Sequence, residues 1–206
     1  MIKTAFSFVL LVSSVLFAAP MPAPHIIDQA HSQINFVAEA RFISAHGSFD
    51  KWEADVSLDR DKIENSTVKI TIDASSINTR VERRDNHLRS KDFFHVEQYP
   101  TITFTSKRVT KSGDKKYNIV GDLSLHGVTK EIEVPVDMVF YENNRGRFRS
   151  TFQLNRKEYG ITYDSKMNSI ADMVQVQFDI NVLDKAAVEK AQKEREAAAA
   201  KPKTNN

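Results

Sequence analysis

Glu82, Arg83, Arg84, Asp85, His87, Arg89, Lys91 and Asp92 crowd into one charged segment that ends on Phe93 and Phe94. Arginines at this density do one of two kinds of chemistry. Arg83, Arg84 and Arg89, together with His87, can receive an anionic or polar head group through charge-assisted hydrogen bonds. Alternatively they pair with Glu82, Asp85 and Asp92 and pin the segment across whatever lies beneath it. Leu88, Phe93 and Phe94 would then form a hydrophobic lid or plug. The residues alone leave both roles open.

Few other residues could do chemistry. There is no Cys, which removes disulfides, thiolate catalysis, zinc–thiolate sites and a lipoprotein anchor. Asp28 with His31, and His126 beside Gly127, suggest acid–base or metal work. Neither has a ligand spacing such as H-x-x-x-H or H-E-x-x-H. No G-x-S-x-G or nucleotide loop is present. The expectation is therefore no catalytic residue, no metal, no cofactor and no enzyme. A net charge of +2 speaks against a general nucleic-acid polyelectrolyte. The run Lys107, Arg108, Lys111, Lys115 and Lys116 reads as a solvated turn, with contact to anionic lipid headgroups as the alternative.

The elements that must position the charged segment are strands. Period-two alternation recurs over 31–43, 46–58, 66–74, 100–110, 115–126, 129–142, 146–155 and 172–183. Turn-like links such as Lys111-Ser112-Gly113-Asp114 and Asn143-Asn144-Arg145-Gly146 favour antiparallel neighbours. Eight such strands with one apolar face predict an all-β, up-and-down antiparallel barrel, in which closure removes the edges. A two-sheet sandwich fits short sequential turns less well. Charges at 81–94 cannot sit on a half-buried strand, and Val81 with Leu88 is a helical spacing. A short helix near 81–89 is expected between the third and fourth strands.

The ends read differently. Lys3, the apolar run Ala5 to Phe17, and the small residues Ala18 and Ala19 predict a secretory signal over 1–19, cut at a site no later than 23. The run is too short to span a bilayer comfortably. The barrel is placed at 28–183. Residues 184–206 are Ala, Lys and Glu rich, with little apolar face beyond Val188, and predict a charged helical or disordered tail.

Six motifs resemble the YceI-like family. They are His31-Ser32-Gln33-Ile34-Asn35-Phe36, Gly47-Ser48-Phe49, Arg84-Asp85-Asn86-His87-Leu88-Arg89-Ser90 with Asp92-Phe93-Phe94, Tyr99-Pro100-Thr101-Ile102-Thr103-Phe104, Gly121-Asp122-Leu123 with His126-Gly127-Val128-Thr129-Lys130, and Asn155-Arg156-Lys157-Glu158-Tyr159-Gly160-Ile161. They follow one another across residues 28–183. Glu39-Ala40-Arg41 departs from the pattern by lacking a histidine, and the charged tail has no counterpart.

The resemblance implies a periplasmic, lipocalin-like barrel that binds, carries or stores a polyisoprenoid or similar long-chain lipid, such as a quinone or its precursor. An eight-stranded barrel is either filled by its own side chains or holds one ligand. The resemblance selects the ligand. Its liners would then be Phe36, Phe42, Phe49, Trp52, Ile72, Phe104, Leu123, Met138, Phe140, Phe148, Phe152 and Phe178, under the lid of Leu88, Phe93 and Phe94. Arg83, Arg84, His87 and Arg89 would serve the head group or closure. A transient membrane-surface contact and a homodimer are further partner expectations; nucleic acid is not one. Two other classes compete: a small outer-membrane barrel with its apolar face outward, and an enzyme on a lipid substrate using His31, His87 and His126.

Overall fold

The computed structural model describes residues 22–199. The expected signal at 1–19 and the end of the tail lie outside them. The strands are β1 (Ala23–Ile27), β2 (Gln33–Ala40), β3 (Ser44–Phe49), β4 (Trp52–Leu58), β5 (Thr67–Asp73), β6 (Ile77–Asn78), β7 (Thr101–Gly113), β8 (Lys116–Leu125), β9 (Val128–Glu142), β10 (Arg145–Asn155) and β11 (Ile170–Asp184). Helix α1 (Glu82–Arg89) precedes β7, and helix α2 (Lys185–Ala199) follows β11.

All pairing is antiparallel, and the ring closes. The order β1-β4-β5-β7-β8-β9-β10-β11 returns to β1 through Ile27 opposite Val182. β2, β3 and β6 carry β1, β4 and β5 onward past short breaks, so the ring has eight strands with the first three bent. The first strand thus starts at Ala23, ahead of the expected 31–43. His25 in it is buried and hydrogen-bonded to the Tyr141 hydroxyl at 2.7 Å. That contact helps fill the end of the barrel remote from α1.

Local chemistry sets the turns. Asn143-Asn144 and His126-Gly127 are two-residue hairpin turns with both central φ angles positive. That conformation matches the twist of the flanking strands and favours Asn and Gly. At Gly127 a side chain would also run into the Tyr99 ring. Gly47 is needed for a different reason: the Phe36 ring lies where its Cβ would be.

Inner and outer faces separate cleanly. Ile34, Phe36, Ile102, Leu123, Leu125, Ile180 and Val182 join one core. The outer face carries charge instead. Lys107 pairs with Asp122 at 2.6 Å and Glu131 at 3.2 Å. Asp179 takes Arg147 at 2.7 Å and Arg149 at 2.8 Å. Charge at these places is unlike the apolar band that an outer-membrane barrel turns to bilayer hydrocarbon. The basic run is likewise engaged in part, through Lys107 and through Lys116 with Asp137.

The ring is interrupted twice, both times at the end that carries α1. Between Ile170 opposite Ala40 and Val174 opposite Ala38 the β2–β11 register shifts, leaving Ala171 to Met173 off that ladder. Arg156, 5% exposed, supplies the missing donors. Its guanidinium donates to the carbonyls of Ile161 at 2.8 Å, Tyr163 at 2.7 Å, Ile170 at 3.0 Å and Ala171 at 3.0 Å. Buried carbonyls left without donors are costly, so one side chain holds the whole 156–170 loop against the seam. The second interruption is the free edge of β6, which pairs with β3 but not with β7.

Two outcomes follow. Lys cannot reach four carbonyls at once, so Arg156→Lys should lower unfolding stability by about 2–4 kcal/mol in urea titrations. Arg147, then Arg149, hold the Asp179 carboxyl below the ordinary aspartate value of 3.8. A depressed carboxylate stabilises above its unfolded pKa and loses that contribution as pH falls through its folded one. Asp179→Asn should therefore cost about 1 kcal/mol at neutral pH, discounted for the exposure of both arginines. In thermal melts across pH the gap should begin to close near 3.8 and vanish below the folded value of Asp179.

Candidate ligand cavity and its lid

The inner face does not fill the space it encloses. A cavity of about 210 Å³ lies in the half of the barrel under α1. One water needs only about 10–15 Å³ of such space, but also two to four polar partners. Asn35 and Arg156 are the only polar residues on the wall, and Arg156 is spent on carbonyls. The wall therefore suits an apolar chain and repels water. Left empty, a void of this size would cost on the order of 5 kcal/mol. A smaller apolar cavity of about 80 Å³ lies toward the other end and shares Val68, Ile70, Ile119 and Phe178 with the first.

Most of the expected liners are on the wall. Phe36, Phe49, Ile72, Phe104, Leu123, Phe152 and Phe178 project from the strands, while Leu88, Phe93 and Phe94 close the top. Phe148 lines the smaller cavity. Four residues fall elsewhere. Phe42 is 69% exposed, because β2 ends at Ala40 and Phe42 sits on the hairpin beyond it. Phe140 is turned outward by a bulge: Phe148 faces Met138, but Arg147 faces Phe140. Tyr141 takes over the inner face there. Met138 is half-buried off both cavity walls, beside the Lys115 turn to which its amide donates. Trp52 is buried in the core where β3 passes into β4 and stops short of the cavity. Arg156 and Ile161 line the wall unforeseen. Their signal was the Asn155-to-Ile161 loop motif of the family resemblance, not an alternating strand.

The lid answers the question posed by its charges. Arg89 donates to the carbonyls of Ser75 at 2.7 Å and Ile77 at 2.8 Å, capping the free edge of β6, and to Asn86 at 3.0 Å. Arg84 donates to the Thr79 hydroxyl at 2.7 Å and carbonyl at 3.0 Å. Asp85 is buried and accepts from the Thr79 amide at 2.9 Å and from its hydroxyl. His87 lies 3.1 Å from Asp92, and its ring packs edge-on against Phe93 and Tyr163. Tyr163 belongs to the loop held by Arg156, so both covers of the cavity meet in this aromatic cluster. Phe94 packs on Phe49 inside. Arg84 and Arg89 thus fasten the lid, whereas Arg83 is exposed and stands outside these bonds.

The histidines are dispersed. His31 pairs with Asp28 at 3.0 Å on the surface. The Nδ1 of His126 lies 3.0 Å from the Tyr159 carbonyl, which can only accept, so that nitrogen carries the proton. No group of three or more His, Asp or Glu that could hold a metal occurs among the described residues. Tyr159 is almost fully buried, with no partner for its hydroxyl among the described residues, and burial pushes its phenol up.

Comparison with known proteins agrees with this geometry. The YceI-like domain family matches residues 26–182. A UPF0312 protein of Vibrio vulnificus is 35% identical over 159 residues, covering 73% of this chain and 84% of that protein. The crystal structure of Burkholderia cenocepacia BcnA superimposes with a TM-score of 0.71 at 25% identity, covering 76% of this chain and 99% of that one. A domain of Saccharophagus degradans described as polyisoprenoid binding and implicated in plant cell wall breakdown shares the fold, with a TM-score of 0.62 at 17% identity over 79% of this chain and 99% of that one. The chain belongs to the YceI-like family.

Proposed function

We propose that this protein is an exported, non-enzymatic carrier or store for a long-chain isoprenoid or similar lipid, held in the barrel with its tail desolvated. The observation that carries the reading is the cavity: about 210 Å³ of apolar space beneath a fastened lid. Each buried methylene contributes about 0.8 kcal/mol, so ten would contribute about 8 kcal/mol before ordering costs. A tail on this scale binds without a polar anchor. A domain that shares this fold is described as polyisoprenoid binding, which supports a ligand of that class here. The expected signal at 1–19 supports export, to the periplasm by the family resemblance. The histidines are dispersed, and His31, His87 and His126 each face a separate partner, which gives no motive for a reaction.

The test is native mass spectrometry with lipid extraction on protein purified from its own membranes. A co-purifying apolar lipid is expected; no lipid, and no uptake of an apolar fluorescent probe, would end the reading. Val176→Trp, which fills the cavity from β11, should cut lipid stoichiometry at least about fivefold while the protein stays folded. Arg89→Ala frees the β6 edge and the lid without touching the wall. It should speed ligand release about tenfold, read by transfer to acceptor vesicles, for the loss of two charge-assisted bonds.

A further inference from the structure

Phe42, Ile43 and Met167 are 69%, 54% and 81% exposed. They sit on two loops that are tied together: the Phe42 amide donates to the Asn168 side chain at 3.1 Å, and the Arg41 amide to the Ser169 carbonyl at 2.9 Å. Large apolar side chains gathered at one tip are not explained by packing within the chain. The tip also continues the cavity. Ala38 and Ile170 line the wall, and Ile170 pairs with Ala40 directly below the two loops. At this same place the β2–β11 ladder is interrupted. Two cations flank the tip. Arg41 lies 5.2 Å from the Phe42 ring centroid, and Lys166 is exposed beside Met167. The nearest acids along the chain are engaged: Glu39 accepts from the Ser44 hydroxyl, and Asp164 from the amides of Ser165 and Ile170.

Apolar side chains that enter the acyl boundary, flanked by cations that meet anionic headgroups, are the chemistry of a bilayer surface rather than of a protein groove. We propose that Phe42, Ile43 and Met167, with Arg41 and Lys166, dock the barrel on an anionic phospholipid bilayer, so that ligand passes between membrane and cavity at the interrupted β2–β11 seam. The basic run on β7 and β8 lies toward the opposite end, with Lys107 engaged by Asp122 and Glu131, and is not the docking face.

The passage of ligand rests on the lipid-carrier reading, but the docking itself does not, and the two are separable. Flotation of the full chain with phosphatidylcholine vesicles, with and without phosphatidylglycerol, measures docking. Uptake of N-phenylnaphthylamine in vesicle-free solution measures the cavity. The wild type should float with the anionic vesicles. Phe42→Ser with Ile43→Ser and Met167→Ser should lower partitioning at least about tenfold. Arg41→Glu with Lys166→Glu should abolish the preference for phosphatidylglycerol. Probe uptake should be unchanged in both. A wild type that does not float, or a tip variant that floats equally well, overturns the proposal. So does a tip variant whose solution mass drops from dimer to monomer, since the tip would then be an interface between copies. Docking without probe uptake would uphold the surface and overturn the carrier reading instead.

Discussion

A barrel wall around an apolar space can leave no backbone donor or acceptor bare, because nothing inside can replace water. Around most of this ring the strands satisfy one another. They fail to do so at β6 and at the β2–β11 seam, both at the mouth. In each place an arginine substitutes for the absent strand, Arg89 at β6 and Arg156 at the seam. A guanidinium suits this work: it remains charged, and its fork reaches several carbonyls at once. The lid and the loop over the cavity are thus consequences of where pairing stops.

This arrangement separates two tasks. The far end of the barrel is closed by strand β1, which pairs with both β4 and β11, and by the bond of His25 to Tyr141. The mouth is closed by side-chain bonds of Arg84, Arg89 and Arg156 in place of strand pairing. His87, Phe93 and Tyr163 join the two covers, so motion of either disturbs the other. The aromatic lid and the apolar wall form one continuous surface, and the buried charges beside it, Asp85 and Arg156, are spent on Thr79 and on loop carbonyls.

Much of this was legible in the sequence. Alternation located all eight strands, but it left the charged segment between two roles, and Arg84 and Arg89 bond Thr79 and strand-edge carbonyls, not the acids Glu82, Asp85 and Asp92. The failures share a cause: period two is a local rule, whereas bulges and strand ends are set by partners. Phe140 obeyed the alternation of β9, but the bulge opposite Arg147 and Phe148 reversed its face. Phe42 continued the parity of β2, but the hairpin had already turned. Ala23 to Ile27 lay in a Pro-containing stretch beside the leader, and only its pairing with both β4 and β11 makes it a strand. The role of Arg156 was hidden because its partners are carbonyls, which no side-chain pattern records. Alternation alone also could not tell a hollow interior from a packed one, since both ask for the same apolar parity.

The central claim is that this interior is kept open for an apolar chain and shut from water by the lid. The most direct test is a high-resolution crystal structure of protein purified without stripping lipid. The account predicts continuous tubular density running from Phe94 to Phe178, with the Arg89 and Arg156 bonds intact. A cavity collapsed onto its own side chains, or one occupied by ordered water, would contradict it.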